Sequence, residues 1–302
     1  MIDKPGIYEI SAEEYHADPV VVPSLSSSIA KLLINRSPLH AWTAHPRLNP
    51  DFKRAEKSVL DAGTIAHQLL LQGNEDNLVV VEADDWKKKL SQELRDLAWE
   101  AGKTPVLVGK LETIRKMVSI AREYVALSDL AGIFDKGKPE LTLAWQEGDR
   151  YAPGPGKPVE LRNSFWCRAR PDFWTDDHAL MIDYKSTATS AEPNTFVRQM
   201  LTMGYDLQCA HYSRGAVALA KEVPDFVFLV QENSPPYACS LIQMAGQMVD
   251  LGERKLEHAY TLWKNCMTLN RWNGYSPRIQ TVEAPEWAVR SFEEIIDAGG
   301  QA

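Results

Sequence analysis

Apolar and polar positions along the chain alternate with two periods, and the two are interleaved rather than segregated. A spacing near 3.6 residues marks helices over Ser24–Leu33, 57–72, 84–100, 108–127 and 245–270, with a further long one running from a cap at Asn194 or Thr195 to about Lys221. Ser26, Ser27 and Ser28 supply a cap for the first of these, and Ser37-Pro38 ends or bends it before Leu39-His40-Ala41-Trp42 begins another turn. A period of two marks strands over Val79–Val81, Glu140–Trp145, Trp166–Trp174, Ala179–Lys185, Phe226–Val230 and 237–243. In the fourth of these Leu180, Ile182 and Tyr184 share one face, and Asp183 and Lys185 the other. Glu140 opposes Leu141, Leu143 and Trp145, and Arg168, Arg170 and Asp172 share a face. The stretch 148–160, rich in Gly and Pro, reads as a loop, and the tail around Pro285-Glu286-Trp287 is expected to pack back on the body. The pattern predicts an α/β fold with a mixed central sheet and helices on both sides. It forms one structural domain: an N-terminal arm and helix (1–57), a core (58–245) and C-terminal helices packed on that core (246–302).

Composition adds limits rather than identity. The chain has 302 residues, 44% of them hydrophobic and 25% charged, as expected of an ordinary globular protein. No apolar run approaches the length of a membrane span and the N-terminus has no signal-peptide pattern, so a cytoplasmic protein with no membrane partner is expected. Cysteines at 167, 209, 239 and 266 lack metal or disulfide spacing. A net charge of −8 argues against a general nucleic-acid coat protein but not against a nuclease, whose metal-binding carboxylates can coexist with one basic groove. Ala101-Gly102-Lys103-Thr104 looks like the end of a phosphate-binding loop, but Leu97 stands where the first glycine is required.

Candidate chemistry gathers around 166–185. Pairing the two strands there brings Asp172, Asp183 and Lys185 together, and carboxylates beside a lysine at a sheet edge can hold a hard divalent cation and activate water. Asp-x-Lys on one strand is by itself an ordinary solvated pair. Other positions add to it: Gly63 and His67 share one helix face, Glu140 is a further carboxylate, and Gln208 and Tyr212 share a later helix face.

In order, Gly63-x-x-x-His67, Glu140, Asp172, Asp183-x-Lys185 and Gln208-x-x-x-Tyr212 resemble the PD-(D/E)xK nuclease superfamily, in the branch of the RecB nuclease domain and phage lambda exonuclease. Tyr15-His16, Ser37-Pro38, Gly63-Thr64-Ile65-Ala66-His67, Cys167-Arg168-Ala169-Arg170-Pro171-Asp172 and Asp183-Tyr184-Lys185-Ser186 resemble the RecE (exonuclease VIII) type within it. The resemblance covers about residues 8–245. It implies a restriction-endonuclease-like core, with Mg²⁺ (or Mn²⁺) held by His67, Asp172, Asp183 and the main-chain carbonyl of Tyr184. Glu140 would serve the metal region, and Lys185 would orient or deprotonate water or stabilise phosphorane charge. Gln208 and Tyr212 would hold the DNA backbone or buttress Lys185, and Arg168, Arg170, Ser186 and Thr187 would contact phosphates. Some relatives carry an iron–sulfur cluster, which Cys167 inside a core strand disfavours. The implied activity is 5′→3′ resection of double-stranded DNA ends for recombination, in a bacterial or phage-encoded protein. The implied partners are a RecT-like single-strand annealing protein and further copies in a ring. Another nuclease of the superfamily (endonuclease, repair or defence) and a catalytically silent DNA-binding module are the alternatives.

Overall fold

A computed structural model describes residues 1–53, 62–73, 75–152 and 160–299. The N-terminal arm forms β1 (Gly6–Tyr8), α1 (Ala12–His16) and β2 (Leu25–Ser26). Ser26 then caps α2 (Ser27–Asn35), its hydroxyl accepting from the Ile29 N–H, and Ser37 caps α3 (Pro38–Ala44), with proline at the first helical position. The helix expected over 57–72 is α4 (Ala62–Gln72); positions 57–61 lie outside the described residues. Next come β3 (Leu78–Val81), α5 (Lys89–Glu100), β4 (Thr104–Leu107) and α6 (Val108–Ala126). The Lys87–Lys89 triplet thus precedes and opens α5 instead of lying along it. The rejected phosphate-loop segment leads into β4, which pairs in parallel with β3.

β5 (Gly137–Pro139), β6 (Thr142–Tyr151), β7 (Glu160–Ala169), β8 (Phe173–Thr175) and β9 (Leu180–Thr187) follow. α7 (Pro193–Met203), α8 (Tyr205–Ala220), β10 (Asp225–Glu232), β11 (Cys239–Gln243), α9 (Gln247–Leu269) and α10 (Glu286–Gly299) complete the chain. A five-stranded sheet has the order β11-β10-β9-β8-β5, and a four-stranded one the order β1-β6-β7-β2. The β9–β10 pair is parallel and its neighbours antiparallel, so the sheet is mixed. On one face α4 and α6 pack Ile65, Leu69 and Ile114 against Ile182, Tyr184 and Leu229. On the other, α2, α8 and α9 pack Ile29, Leu207 and Trp263 with Met181 and Phe228. The expected α/β architecture with helices on both sides is what the chain adopts.

Three expectations are corrected. The strand expected over 166–174 is two strands in two sheets, separated by Arg170-Pro171-Asp172. Proline cannot donate to a ladder, and the chain crosses there from one sheet to the other. Glu140 likewise lies outside β6, in a left-handed conformation (φ 58°), at the opposite crossing from β5. Pairing keeps one register on both sides, with Pro139 opposite Phe173 and Leu143 opposite Ala169, so β5–β8 and β6–β7 are one ribbon creased at Glu140 and Asp172. The Glu140 N–H donates to the Asp172 carbonyl across the crease, at 3.0 Å.

Second, the long helix expected to reach Lys221 is broken at Gly204 (φ 66°), whose left-handed backbone ends α7 and opens α8. The cap of α7 is Glu192, not Asn194 or Thr195; its carboxylate accepts from both of their backbone N–H groups. Third, α9 packs on the core but α10 does not. Trp287 is 72% exposed, and Val289, Phe292, Ile295 and Ile296 on the same helix are 46–67% exposed.

Candidate active site

The site forms where β8 leaves β9. Their pairing ends at Phe173–Ile182, and the next outward-facing donor of β9, the Tyr184 N–H, is taken by Asp172 Oδ2 at 2.8 Å. The crease thus swings a carboxylate into the place a strand would have occupied. His67 approaches from α4, its Nε2 3.0 Å from Asp172 Oδ2 and 3.6 Å from Glu140 Oε1. Ligand atoms of His67, Glu140 and Asp172 all lie within 4.8 Å of one another, and all three residues are half-buried.

Asp183 and Lys185 lie on the opposite face of β9 from Ile182 and Tyr184, as alternation requires. Asp183 is 1% exposed. Gln208 on α8 donates to its Oδ2 at 2.6 Å, and the Lys185 ammonium pairs with its Oδ1. Lys185 also lies 4.8 Å from the centre of the Tyr205 ring. The Tyr184 hydroxyl turns away and donates to Gln231 at 2.7 Å.

Electrostatics separates the two aspartates. Burial, and then the charge of Asp172, push the Asp183 carboxyl up to about 6 against the pull of Lys185. Burial would raise Asp172 as well, but the His67 charge and hydrogen bond and the Lys185 charge bring it below the ordinary carboxylate range. Burial opposes charge on His67 and Lys185, yet the neighbouring carboxylates prevail and raise both. Proximity of like carboxylates with cations between them is the pattern of a charge-binding site.

Oxygen-rich donors with one imidazole suit Mg²⁺ or Mn²⁺ better than a soft metal. The donor set fits a hard divalent cation: His67, Glu140 and Asp172 converge, while Asp183 is not among the converging ligand atoms and is linked to them by the mutual repulsion of its charge and that of Asp172.

Several expected roles shift. Gln208 holds Asp183 instead of buttressing Lys185, and Tyr205 supplies the surface beside Lys185. Tyr212 is buried one turn beyond Gln208, its ring against Phe226. Arg168 is not placed to grip phosphate: it is 3% exposed, and its guanidinium donates to the Ser24 carbonyl and hydroxyl and pairs with Asp18. Arg170 is engaged by Glu140, the Ile10 carbonyl and Thr142 Oγ1, so it orients a carboxylate. Thr187 is buried, its hydroxyl donating to Gln199 Oε1 at 3.1 Å and 3.0 Å from the Thr189 hydroxyl, whereas Ser186 is half-buried at the strand end.

Lys31 and Tyr205 were not singled out from the sequence. Lys31 Nζ lies 3.3 Å from Gln208 Oε1 and 5.5 Å from the Tyr205 ring centre, and burial followed by the Lys185 charge lowers its pKa to about 8. A lone lysine in the otherwise apolar run Ile29–Ile34 was the available signal for one, and the helix-breaking Gly204 for the other.

Residues 157–285 match the family described as "PDDEXK-like domain of unknown function (DUF3799)". No curated protein matches the chain. The crystal structure of a "Putative exonuclease" from Eubacterium rectale superposes with a TM-score of 0.55 at 9% identity, over 92% of this chain and 96% of that one. The crystal structure of SSO0001 is 13% identical over 66% of this chain and 85% of that one, and its TM-score of 0.24 carries no argument. Residues 157–285 are thus similar to a PDDEXK-like domain, and the superposition shows a shared fold; neither distinguishes branches of the PD-(D/E)xK superfamily.

Proposed function

We propose that the chain is a Mg²⁺-dependent deoxyribonuclease that degrades linear double-stranded DNA from its ends. The carrying observation is the convergence of His67, Glu140 and Asp172 at the crease, with the Asp183–Lys185 pair on the adjoining strand. A divalent cation held there would supply Lewis acidity that makes water nucleophilic near neutral pH and offsets phosphate charge. His67, Glu140, Asp172 and Asp183 are the residues to hold it. Gln208 fixes the Asp183 carboxylate. Arg170 fixes Glu140. Lys185, kept protonated by its carboxylate neighbours, is suited to donate to a phosphate oxygen and stabilise the charge that grows on it, more than to accept a proton.

End-directed cleavage, 5′→3′ polarity and a role in single-strand annealing recombination rest on the RecE-type resemblance; the description of the Eubacterium rectale neighbour as a "Putative exonuclease" is in keeping with the first. Timed digestion of linear duplexes labelled at the 5′ or 3′ end, with and without Mg²⁺, tests the reading. Loss of 5′ label first, in Mg²⁺ only, is the expected result. Cutting of closed circular DNA would show an endonuclease. Asp172→Asn and Lys185→Ala should each lower the rate at least about 100-fold. Undiminished cleavage by either would remove the site assignment.

A further inference from the structure

Lys31, Gln208, Asp183 and Lys185 form one chain of polar contacts, and its far end lies on a helix that the proposed chemistry does not otherwise use. α2 buries Ile29, Ala30 and Leu33 in the core and leaves Lys31 half-buried beside the turn between α7 and α8. A side-chain carbon at Gly204 would come within 3.1 Å of Lys31 Cγ, so the lysine stem lies against bare backbone there. Its ammonium reaches Gln208 Oε1 at 3.3 Å and lies 5.5 Å from the centre of the Tyr205 ring, which Lys185 also approaches, at 4.8 Å. The aspartates whose charge acts on Lys31 are held by other lysines: Asp183 by Lys185, and Asp206 by Lys255 at 2.6 Å. The amide oxygen of Gln208 is the acceptor that Lys31 reaches.

Gln208 is 5% exposed, and both ends of its amide are engaged: Nε2 donates to Asp183 Oδ2 at 2.6 Å, and Oε1 accepts from Lys31. An ammonium only donates and a carboxylate only accepts, so the amide fits between them one way round. Turned over, it would set its NH₂ against the ammonium and its oxygen against the carboxylate. Asp183 alone would hold one end of a flexible side chain. With Lys31 on the other end, the amide cannot swing without breaking both bonds. Asp183 in turn has Oδ2 on Gln208 and Oδ1 on Lys185, which fixes its carboxylate plane and the lone pairs left for a further partner.

We infer that Lys31 is a positioning residue: from α2 it locks the Gln208 amide with its N–H toward Asp183, and so holds the Asp183 carboxylate in one orientation. Its effect on rate rests on the nuclease reading above; the locking itself does not. The rival role for a half-buried ammonium beside this site is direct contact with a DNA phosphate. The two roles differ in what they require. Positioning works only through Gln208, and a phosphate contact does not need it.

Heteronuclear NMR on the full chain, without metal or DNA, reads the amide directly; the Gln208 side-chain signals are those lost in Gln208→Leu. The proton donated to Asp183 should be displaced and slow to exchange. Lys31→Met should move that signal and speed its exchange, and Lys31→Arg, which keeps the charge and the donors, should preserve it. An unmoved signal in Lys31→Met overturns the inference, whatever the activity. Cleavage kinetics in Mg²⁺ supply the second readout. Lys31→Met should lower kcat about tenfold with KM for DNA little changed, and Lys31→Arg should recover most of the loss. In the Gln208→Leu background the same Lys31→Met change should cost less than about twofold more. A full further loss in that background, or a loss carried by KM, assigns Lys31 to a phosphate and overturns positioning. Circular dichroism checks folding, and Lys31→Gln, with the same expected outcomes, replaces a Lys31→Met chain that does not fold. Wild type that cleaves no DNA in Mg²⁺ would end the nuclease reading, while the amide signals still decide this one.

Discussion

Single side chains divide into those whose placement was legible in the sequence and those only the fold could place. Asp172 takes its position from the crease, outside any strand, whereas Asp183, Lys185 and His67 were legible in placement because their spacing on strand and helix sets their direction. Arg168 was not: it stands beside the site in sequence, but β2 pairs alongside β7 and covers it with Ser24 and Asp18. Arg168→Met should therefore destabilise the fold by about 3–5 kcal/mol, the cost of stranding a buried charge, with KM for DNA unchanged. A urea titration beside a KM measurement checks it; a raised KM with intact stability would restore the phosphate role. Gln208→Leu removes the 2.6 Å donor from buried Asp183 and should lower kcat at least about tenfold with KM little changed. Steady-state kinetics, with circular dichroism to confirm folding, decides this. His45 and His211 are buried outside the His67–Glu140–Asp172 cluster, and burial lowers both to about 4. His211 sits between the Arg168 carbonyl and the Tyr260 hydroxyl, each at 3.1 Å, which suits one neutral tautomer. Their folded pKa values lie below the unfolded 6.5, so the unfolded chain binds more protons between pH 6.5 and 4. Stability from these groups is full above pH 6.5 and falls as the pH drops through that window, by up to about 1.4 kcal/mol per pH unit for each. Denaturation curves from pH 7.5 to 4.5 should show the slope, and His211→Gln should flatten it.

Helices and strands were legible in kind and less so at their ends. Hydrophobic period placed α6, α9 and β10 closely, because each buries one continuous face. It could not show the break at Gly204, since apolar spacing continues through it, nor the crease, since β7 and β8 read as one alternating run. β4 was missed because a short strand between two helices has too few residues to show a period. At this scale the contact of α8 with α9 makes a sharp prediction. A side-chain carbon at Gly252 would collide with the Asp206 backbone carbonyl, so the two helices approach as closely as a bare backbone allows. Gly252→Ala should cost about 1–3 kcal/mol by forcing α9 outward, measured as a lowered urea midpoint with an unchanged slope.

Across the whole molecule, the site draws on parts of the chain that are distant in sequence: α4, both crossings of the ribbon, β9 and α8. The matched family segment begins at 157, so His67 and Glu140 lie outside it, and only the folded chain joins them to Asp172. A cation that binds this assembled set, and not the unfolded chain, should raise Tm in proportion to the logarithm of its concentration. Thermal melts in Mg²⁺ or Mn²⁺ should show the rise for wild type and lose it for Asp172→Asn; equal rises would place the ion elsewhere. The amide that spans the crease, from Glu140 to the Asp172 carbonyl, ties both acidic residues through the main chain itself. Deuterium uptake at that one position would then act as a gauge of the gap between them: slow when an ion clamps the bend shut, quicker when mutual repulsion is left to pry it open.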